Sequence, residues 1–362
     1  MKNKWCVSVA FLFFLVGICI NACTQECNSS NNDRWSEEKI QKWYDDQDWL
    51  IGCNYIPATA INQIEMWSAD TFNPKQIDKE LSWAHDLGFN TLRVFLSSVV
   101  WKNDAKGMKK RMDEFLNICK KYSIRPMFDD CWNAESAYGK QPELKPGVHN
   151  SGWVQDPSCS LRKDTLTLYP FLQEYVKDII RTYAHDDRIL MWDLYNEPGN
   201  SKHEETSLSL LTNVFRWVRD CKPSQPITAG VWDYNSPRKN VLNAFMLNHS
   251  DIISYHNYDN EAQHAECIKF LKMLNRPLIC TEYMARRNDS RFCNVLPLMK
   301  KEKTGAINWG FVAGKTNTIF AWDEVIPSGE EPELWFHDIY RSNGVPFQQE
   351  EVDCIKSLTG RR

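Results

Sequence analysis

The feature that most constrains the fold is an alternation repeated eight times along the chain. Short apolar runs at 49–55, 91–96, 125–129, 190–195, 226–231, 252–256, 277–281 and 306–311 are separated by longer segments with helical spacing. Most runs are continuously apolar rather than alternating, as expected for a parallel sheet covered on both faces. The segments between them carry helix signals. Asn73-Pro74 reads as an N-cap followed by proline at the first helical position, and Ile77, Leu81, Ala84 and Leu87 then share one face before Gly88 stops the helix. Met108, Met112, Phe115, Leu116 and Cys119 repeat the spacing before the third run, and Leu172, Tyr175, Val176, Ile179 and Ile180 before the fourth. Such alternation predicts βαβ units. Eight of them predict an α/β fold closed as a (β/α)8 TIM barrel, one domain over residues 35–362. An open doubly wound sheet is the alternative, but no GxGxxG loop follows the first run.

The N-terminus reads as a targeting segment. Met1-Lys2-Asn3-Lys4 is basic, and the apolar stretch 7–20 is too short for a convincing membrane span. Residues 1–22 are expected to be a signal peptide of lipoprotein type, with Ala22 before a lipidated Cys23 and a polar tether over 23–34. Asn21 fits that cleavage site imperfectly, so plain secretion stays open. The expected location is the bacterial outer membrane or periplasm, with membrane contact only through the lipid. Cys53, Cys119, Cys131, Cys267 and Cys280 sit in apolar runs and read as buried free thiols. Export permits one or two disulfides of unknown pairing. No cysteine or histidine spacing suggests a metal, and no cofactor is expected. A net charge of -4 leaves no basic footprint for nucleic acid, and a monomer is expected.

Two of the apolar runs end in carboxylates. The fourth leads into Asn196-Glu197-Pro198, where proline ends ladder pairing and leaves Glu197 at the strand's C-terminal rim. The seventh leads into Thr281-Glu282-Tyr283. Either glutamate alone could be a rim ion pair. Two at the same end of one barrel are what glycosidic cleavage needs: one protonates the departing oxygen while the other attacks carbon or activates water. The connection at 130–164 is long, holds Trp132, His149 and Trp153, and follows a strand, which places it at the barrel face where active sites lie. Those three residues are expected to wall a substrate cleft. The 15 Trp, 13 Tyr and 17 Phe serve mostly the core, with a minority left to stack on sugar rings.

On these motifs the chain resembles the clan A glycoside hydrolases, nearest to the cellulase-like family five, over nearly all of its length after the tether. The resemblance is carried by Arg93, Asn196-Glu197-Pro198, His256-Asn257-Tyr258, Glu282 and Trp309. It implies that Glu197 is the acid/base and Glu282 the nucleophile of a retaining β-glycosidase. It further implies that Asn196 contacts the sugar 2-hydroxyl, that Arg93 and Tyr258 hold the nucleophile, and that Trp309 floors the subsite of the attacked sugar, with His256 also at the substrate. One departure is visible. The family often carries histidine just after strand three, where this chain reads Asp129-Asp130-Cys131-Trp132; Trp132 or His149 is the candidate replacement. The expected partner is a β-linked oligo- or polysaccharide. Two other functions compete: a non-catalytic surface glycan-binding protein on the same barrel, and a transglycosylase using the same residues.

Overall fold

The computed structural model describes residues 34–129, 141–157, 164–200, 204–234 and 240–361. The expected signal peptide 1–22, Cys23, the expected tether up to residue 33, Cys131 and Trp132 lie outside these described residues. From Ser36 to Arg362 the chain forms one compact unit. Among the described residues no helix is long and apolar enough to cross a membrane.

A helix, α1 (Glu37–Asp45), precedes the first strand and is capped by Ser36, whose side chain accepts the Lys39 N–H. The strands are β1 (Ile51–Asn54), β2 (Thr91–Phe95), β3 (Arg125–Asp129), β4 (Met191–Asp193), β5 (Ile227–Thr228), β6 (Ile253–His256), β7 (Leu278–Glu282) and β8 (Gly305–Asn308). Between them run α2 (Gln63–Trp67), α3 (Pro74–Asp86), α4 (Ser98–Lys121), α5 (Thr165–Tyr183), α6 (Glu204–Asp220), α7 (Asn240–His249), α8 (Glu261–Lys272) and α9 (Phe292–Lys301), and α10 (Gln349–Thr359) follows β8. Every expected strand is present. The expected N-cap is also there: Asn73 accepts the Gln76 N–H, with Pro74 opening α3.

The eight strands form one parallel sheet in the order β5-β4-β3-β2-β1-β8-β7-β6. Closure between β5 and β6 is made beyond their ladders, by a bridge between Val231 and Tyr255. There the Val231 N–H donates to Ser254 O and the His256 N–H to Val231 O. The fold is therefore a (β/α)8 barrel. β4 and β5 are shorter than the apolar runs suggested, although the Leu194 N–H still donates to Thr228 O and Val231 still bridges Tyr255 beyond them. The core fills the space between barrel and helices, with Trp67, Trp217, Phe115 and Phe128 among its largest fully buried side chains. Cys53, Cys119, Cys267 and Cys280 are buried free thiols as expected, whereas Cys293 is exposed and Cys221 and Cys354 are half-buried.

Gly52 shows how tightly the barrel is drawn. It pairs with Thr91 across β1 and β2, and a Cβ there would stand 1.9 Å from the Thr91 carbonyl oxygen. Backbone cannot yield as a side chain tip can. Gly52→Ala is expected to destabilise the protein by about 3 kcal/mol through overpacking, read as a lowered urea midpoint. An unchanged midpoint would contradict this account of the β1–β2 contact.

Candidate active site

The site lies where the strands end. Arg93, on β2, is fully buried beneath the mouth. Its Nε donates to Asp193 Oδ2 at 2.9 Å, Nη1 to Asn54 Oδ1 at 3.1 Å and to Glu282 Oε1 at 2.7 Å, and Nη2 to Asn196 Oδ1 at 2.8 Å. One guanidinium thus joins β1, β2, β4, β7 and the turn after β4. Its planar fork suits such multidentate use, where an ammonium would not. Arg93 does not line the cleft itself; it sits behind Glu282.

Glu282 closes β7 with its side chain 7% exposed. Arg93 holds one of its oxygens, and Tyr258 Oη donates to the other at 2.8 Å. Opposite stands Glu197, more open at 19%. It has a positive φ of 45°, a left-handed conformation that non-glycine residues rarely adopt and that gathers at functional sites. The turn is closed by the Asn200 N–H donating to Glu197 O, while Asn200 Nδ2 donates to Glu197 Oε2 at 2.7 Å. His256 links the pair: its Nδ1 lies 2.9 Å from Glu197 Oε1 and 3.4 Å from Glu282 Oε2. The ladder between β6 and β7 slips beside His256, which brings His256 opposite Glu282 at the rim. A Cβ on Gly230 would meet His256 Nε2 at 3.2 Å, so the small residue leaves room for the ring.

Burial dominates the electrostatics. It pushes the Glu282 carboxyl above its ordinary range; His256 draws it back, the Glu197 charge pushes it further up, and Arg93 and Tyr258 also draw it back. A nearby cation by itself would lower it, so desolvation outweighs the effect of Arg93. Burial likewise lowers His256 to about 4 and His149 to about 4, leaving both neutral at neutral pH.

The carboxylates open onto a cavity of about 870 Å³. Asn196, Glu197, His256, Tyr258, Glu282, Trp309, His149 and Trp153 all line it. The site candidates read from the sequence are thus brought together, apart from Arg93 behind the wall, and Trp132 and Cys23 outside the described residues. His149 Nδ1 bonds Phe320 O at 2.8 Å, and its ring packs on Trp322, Phe336 and His337. Reading the sequence did not find Asn54, Asp193, Asn200, Trp232 or Trp322. Asn54 and Asp193 carried a signal, being polar residues inside otherwise apolar strands. Trp322 carried none, because its loop has no periodicity.

Donor atoms of Glu197, His256 and Glu282 lie within 4.8 Å of one another, a set that could hold a metal ion. Those oxygens already meet other groups: Arg93 and Tyr258 on Glu282, and Asn200 and His256 on Glu197. A metal would have to displace these partners. The arrangement suits instead two carboxyls acting on one bond, one held rigid and buried, the other open to the cleft.

A family model described as "Cellulase (glycosyl hydrolase family 5)" matches residues 54–314. The chain belongs to glycosyl hydrolase family 5. It is accordingly a glycoside hydrolase. No curated protein matches it. Among solved structures it is similar to a GH5_18 protein from Streptomyces cattleya determined with GlcNAc, at 12% identity and a TM-score of 0.60, covering 87% of this chain and 80% of that one. It is also similar to an exo-β-1,4-mannosidase from Opitutaceae bacterium strain TAV5, at 16% identity and 0.61, covering 87% and 60%. An endo-β-1,4-mannanase from Thermotoga petrophila shows 14% identity and 0.55, covering 88% and 77%. At such identities the likeness is one of fold.

The Tyr258 contact yields a pH test. If Glu282 attacks, as the family resemblance implies, it must be ionised, and kcat/KM then rises with pH through its pKa, which burial has raised. Tyr258→Phe removes a hydrogen bond to the ionised form and raises that pKa further. The acidic limb of the kcat/KM profile is expected to move to higher pH in the variant. A limb that stays put or moves down would remove Tyr258 from this role.

Proposed function

We propose that the protein is an exported retaining β-glycosidase, with Glu282 as nucleophile and Glu197 as acid/base. The observation that carries this reading is the close approach of the two carboxyls. Their nearest oxygens lie within 4.8 Å, bridged by one imidazole nitrogen. Carboxyl groups about 5–5.5 Å apart suit direct attack on the anomeric carbon, whereas about 6.5–9.5 Å leaves room for the water of an inverting enzyme. The difference in exposure supports the assignment of roles. Glu282 is oriented by fixed donors and shielded from water, as a nucleophile should be. Glu197 faces the cleft, where it can give its proton to the departing oxygen and later take one from water.

The reaction follows in two steps. Glu282 Oε2 attacks C1 while Glu197 protonates the glycosidic oxygen, so the C1–O bond breaks and a glycosyl-enzyme ester forms. Water enters from the vacated side, Glu197 removes its proton, and its oxygen displaces Glu282 with the original configuration restored. Retention of both glutamates disfavours the glycan-binding alternative.

Proton NMR of the first-formed sugar tests retention. The β-anomer is expected from a β-linked substrate, and an α-anomer would overturn the roles. Glu282→Ala should abolish turnover on all substrates. Glu197→Ala should lose about 10²–10⁴ in rate on substrates with poor leaving groups, yet keep glycosylation on aryl glycosides and regain turnover with azide. Because two of the similar structures act on β-1,4-mannosidic bonds, 4-nitrophenyl β-D-mannoside is the first probe, followed by the glucoside, galactoside and xyloside.

The basic start, the short apolar stretch and Ala22-Cys23 support export with a lipid on Cys23. Mass spectrometry of the mature N-terminus should find lipidated Cys23. Retention of Met1 would exclude export, and cleavage elsewhere would exclude lipidation.

A further inference from the structure

Whether such an enzyme cuts inside a glycan or only at its end depends on whether the cleft continues past the attacked sugar. The proposed roles orient that sugar. Glu197, after β4, protonates the departing oxygen, so the leaving part lies on the β4 side. The attacked ring then extends from Glu282 away from β4. In the closed order of strands, β8 stands opposite β4, with β1 beside it. An internal cut would require an open path over β8, β1 and β2.

That path is walled. The loops after β1, β3 and β8 are tied to one another there. The Asn150 N–H donates to Thr316 O at 3.0 Å, the Ile326 N–H to Gly147 O at 3.1 Å, and the Lys315 N–H to Ala58 O at 3.1 Å. Asn317 Nδ2 donates to Lys145 O and Val148 O, and Asn62 Nδ2 to Gly152 O. The loops also interlock too closely for larger residues: a Cβ on Gly147 would stand 1.8 Å from Ile326 O, and one on Gly314 2.5 Å from Ala58. Trp153 and Trp309, which face the cavity, lock edge to face with each other and with Phe95 behind them, ring centroids 5.2–5.9 Å apart. Both tryptophans are nearly buried.

The space behind this wall is a separate cavity of about 30 Å³, between Phe95, Trp153, Trp309, Thr316 and Asp338. That is room for a water molecule, not for a second sugar ring. The main cavity of about 870 Å³ draws no lining residue from 55–62 or 96–98; beyond Trp153 and Trp309 it is bounded by His149, Ser151, Asn288 and Trp322, and on the leaving side it extends past Asn200, Trp232, Tyr234 and Asp259.

We infer that the enzyme is exo-acting: the Trp153–Trp309 wall and the joined β1, β3 and β8 loops admit one sugar beyond the scissile bond, so it removes single residues from non-reducing ends. This inference rests on the proposed assignment of Glu197 and Glu282, which sets the direction of the substrate.

The test uses the full-length enzyme with β-1,4-mannohexaose, cellohexaose and xylohexaose, each labelled at the reducing end with 2-aminobenzamide, alongside the four aryl monoglycosides. The expected first products are free monosaccharide and labelled pentasaccharide, with turnover of the matching aryl monoglycoside. A hexaose whose terminal non-reducing sugar carries a 4,6-O-ethylidene block should resist cleavage. Labelled di- or trisaccharide among the first products, or cleavage of the blocked hexaose at the rate of the free one, would overturn exo action while leaving the hydrolase reading intact. Absence of turnover on every substrate would instead overturn the proposed function, and the inference with it.

Discussion

The buried guanidinium of Arg93 is the interaction on which the rest of the site depends. A charge taken out of water inside a barrel must be matched by hydrogen-bond acceptors or it becomes strongly destabilising. Here Asn54, Asp193, Asn196 and Glu282 supply them from three other strands and the turn after β4. Satisfying one cation therefore fixes the relative heights of β1, β2, β4 and β7. It also places a compensating charge behind Glu282 and orients the carboxylate that faces the cleft. Burial works against both acids, raising Asp193 as well as Glu282. Removing one partner would leave the others buried and unmatched, at a cost of about 3–5 kcal/mol.

The two glutamates differ because their supports differ. Glu282 belongs to a strand and inherits that strand's rigidity, and it is clamped by Arg93 below and Tyr258 beside it. Glu197 belongs to a tight turn held in a left-handed conformation and is restrained by the nearby Asn200 and by His256. A rigid, shielded carboxylate and a more open one can divide attack and proton transfer between them. The loops then decide what reaches the pair. Those after β1, β3 and β8 carry the wall, while those after β4, β5 and β6 leave space.

Much of this was legible in the sequence because it is local. Eight apolar runs alternating with helical periods define the barrel, since each run signals burial on both faces and each helix signals one buried stripe. Asn196-Glu197-Pro198 and Glu282 could be placed at the rim because each follows or ends an apolar strand, and Pro198 stops ladder pairing. The aromatic loop was readable as a cleft wall from its length and position, and His149 and Trp153 do line the cavity. Arg93 by itself would lower Glu282, yet burial raises it. A sequence shows which charges can meet, but not how much water is removed around them.

The chain by itself thus determined the barrel, the end of the barrel that carries the chemistry and the pair of carboxylates found there. Those follow from periodicity and strand termini, which are properties of neighbouring residues. Tertiary structure decided the spacing of the carboxylates, the cation buried behind one of them and the wall across one side of the cleft. The wall rests largely on backbone contacts such as Asn150 to Thr316 and Lys315 to Ala58, between loops far apart in the chain. A backbone amide and carbonyl are nearly the same whatever residue carries them. Such contacts leave little trace in the sequence and appear only when the strands beneath them close.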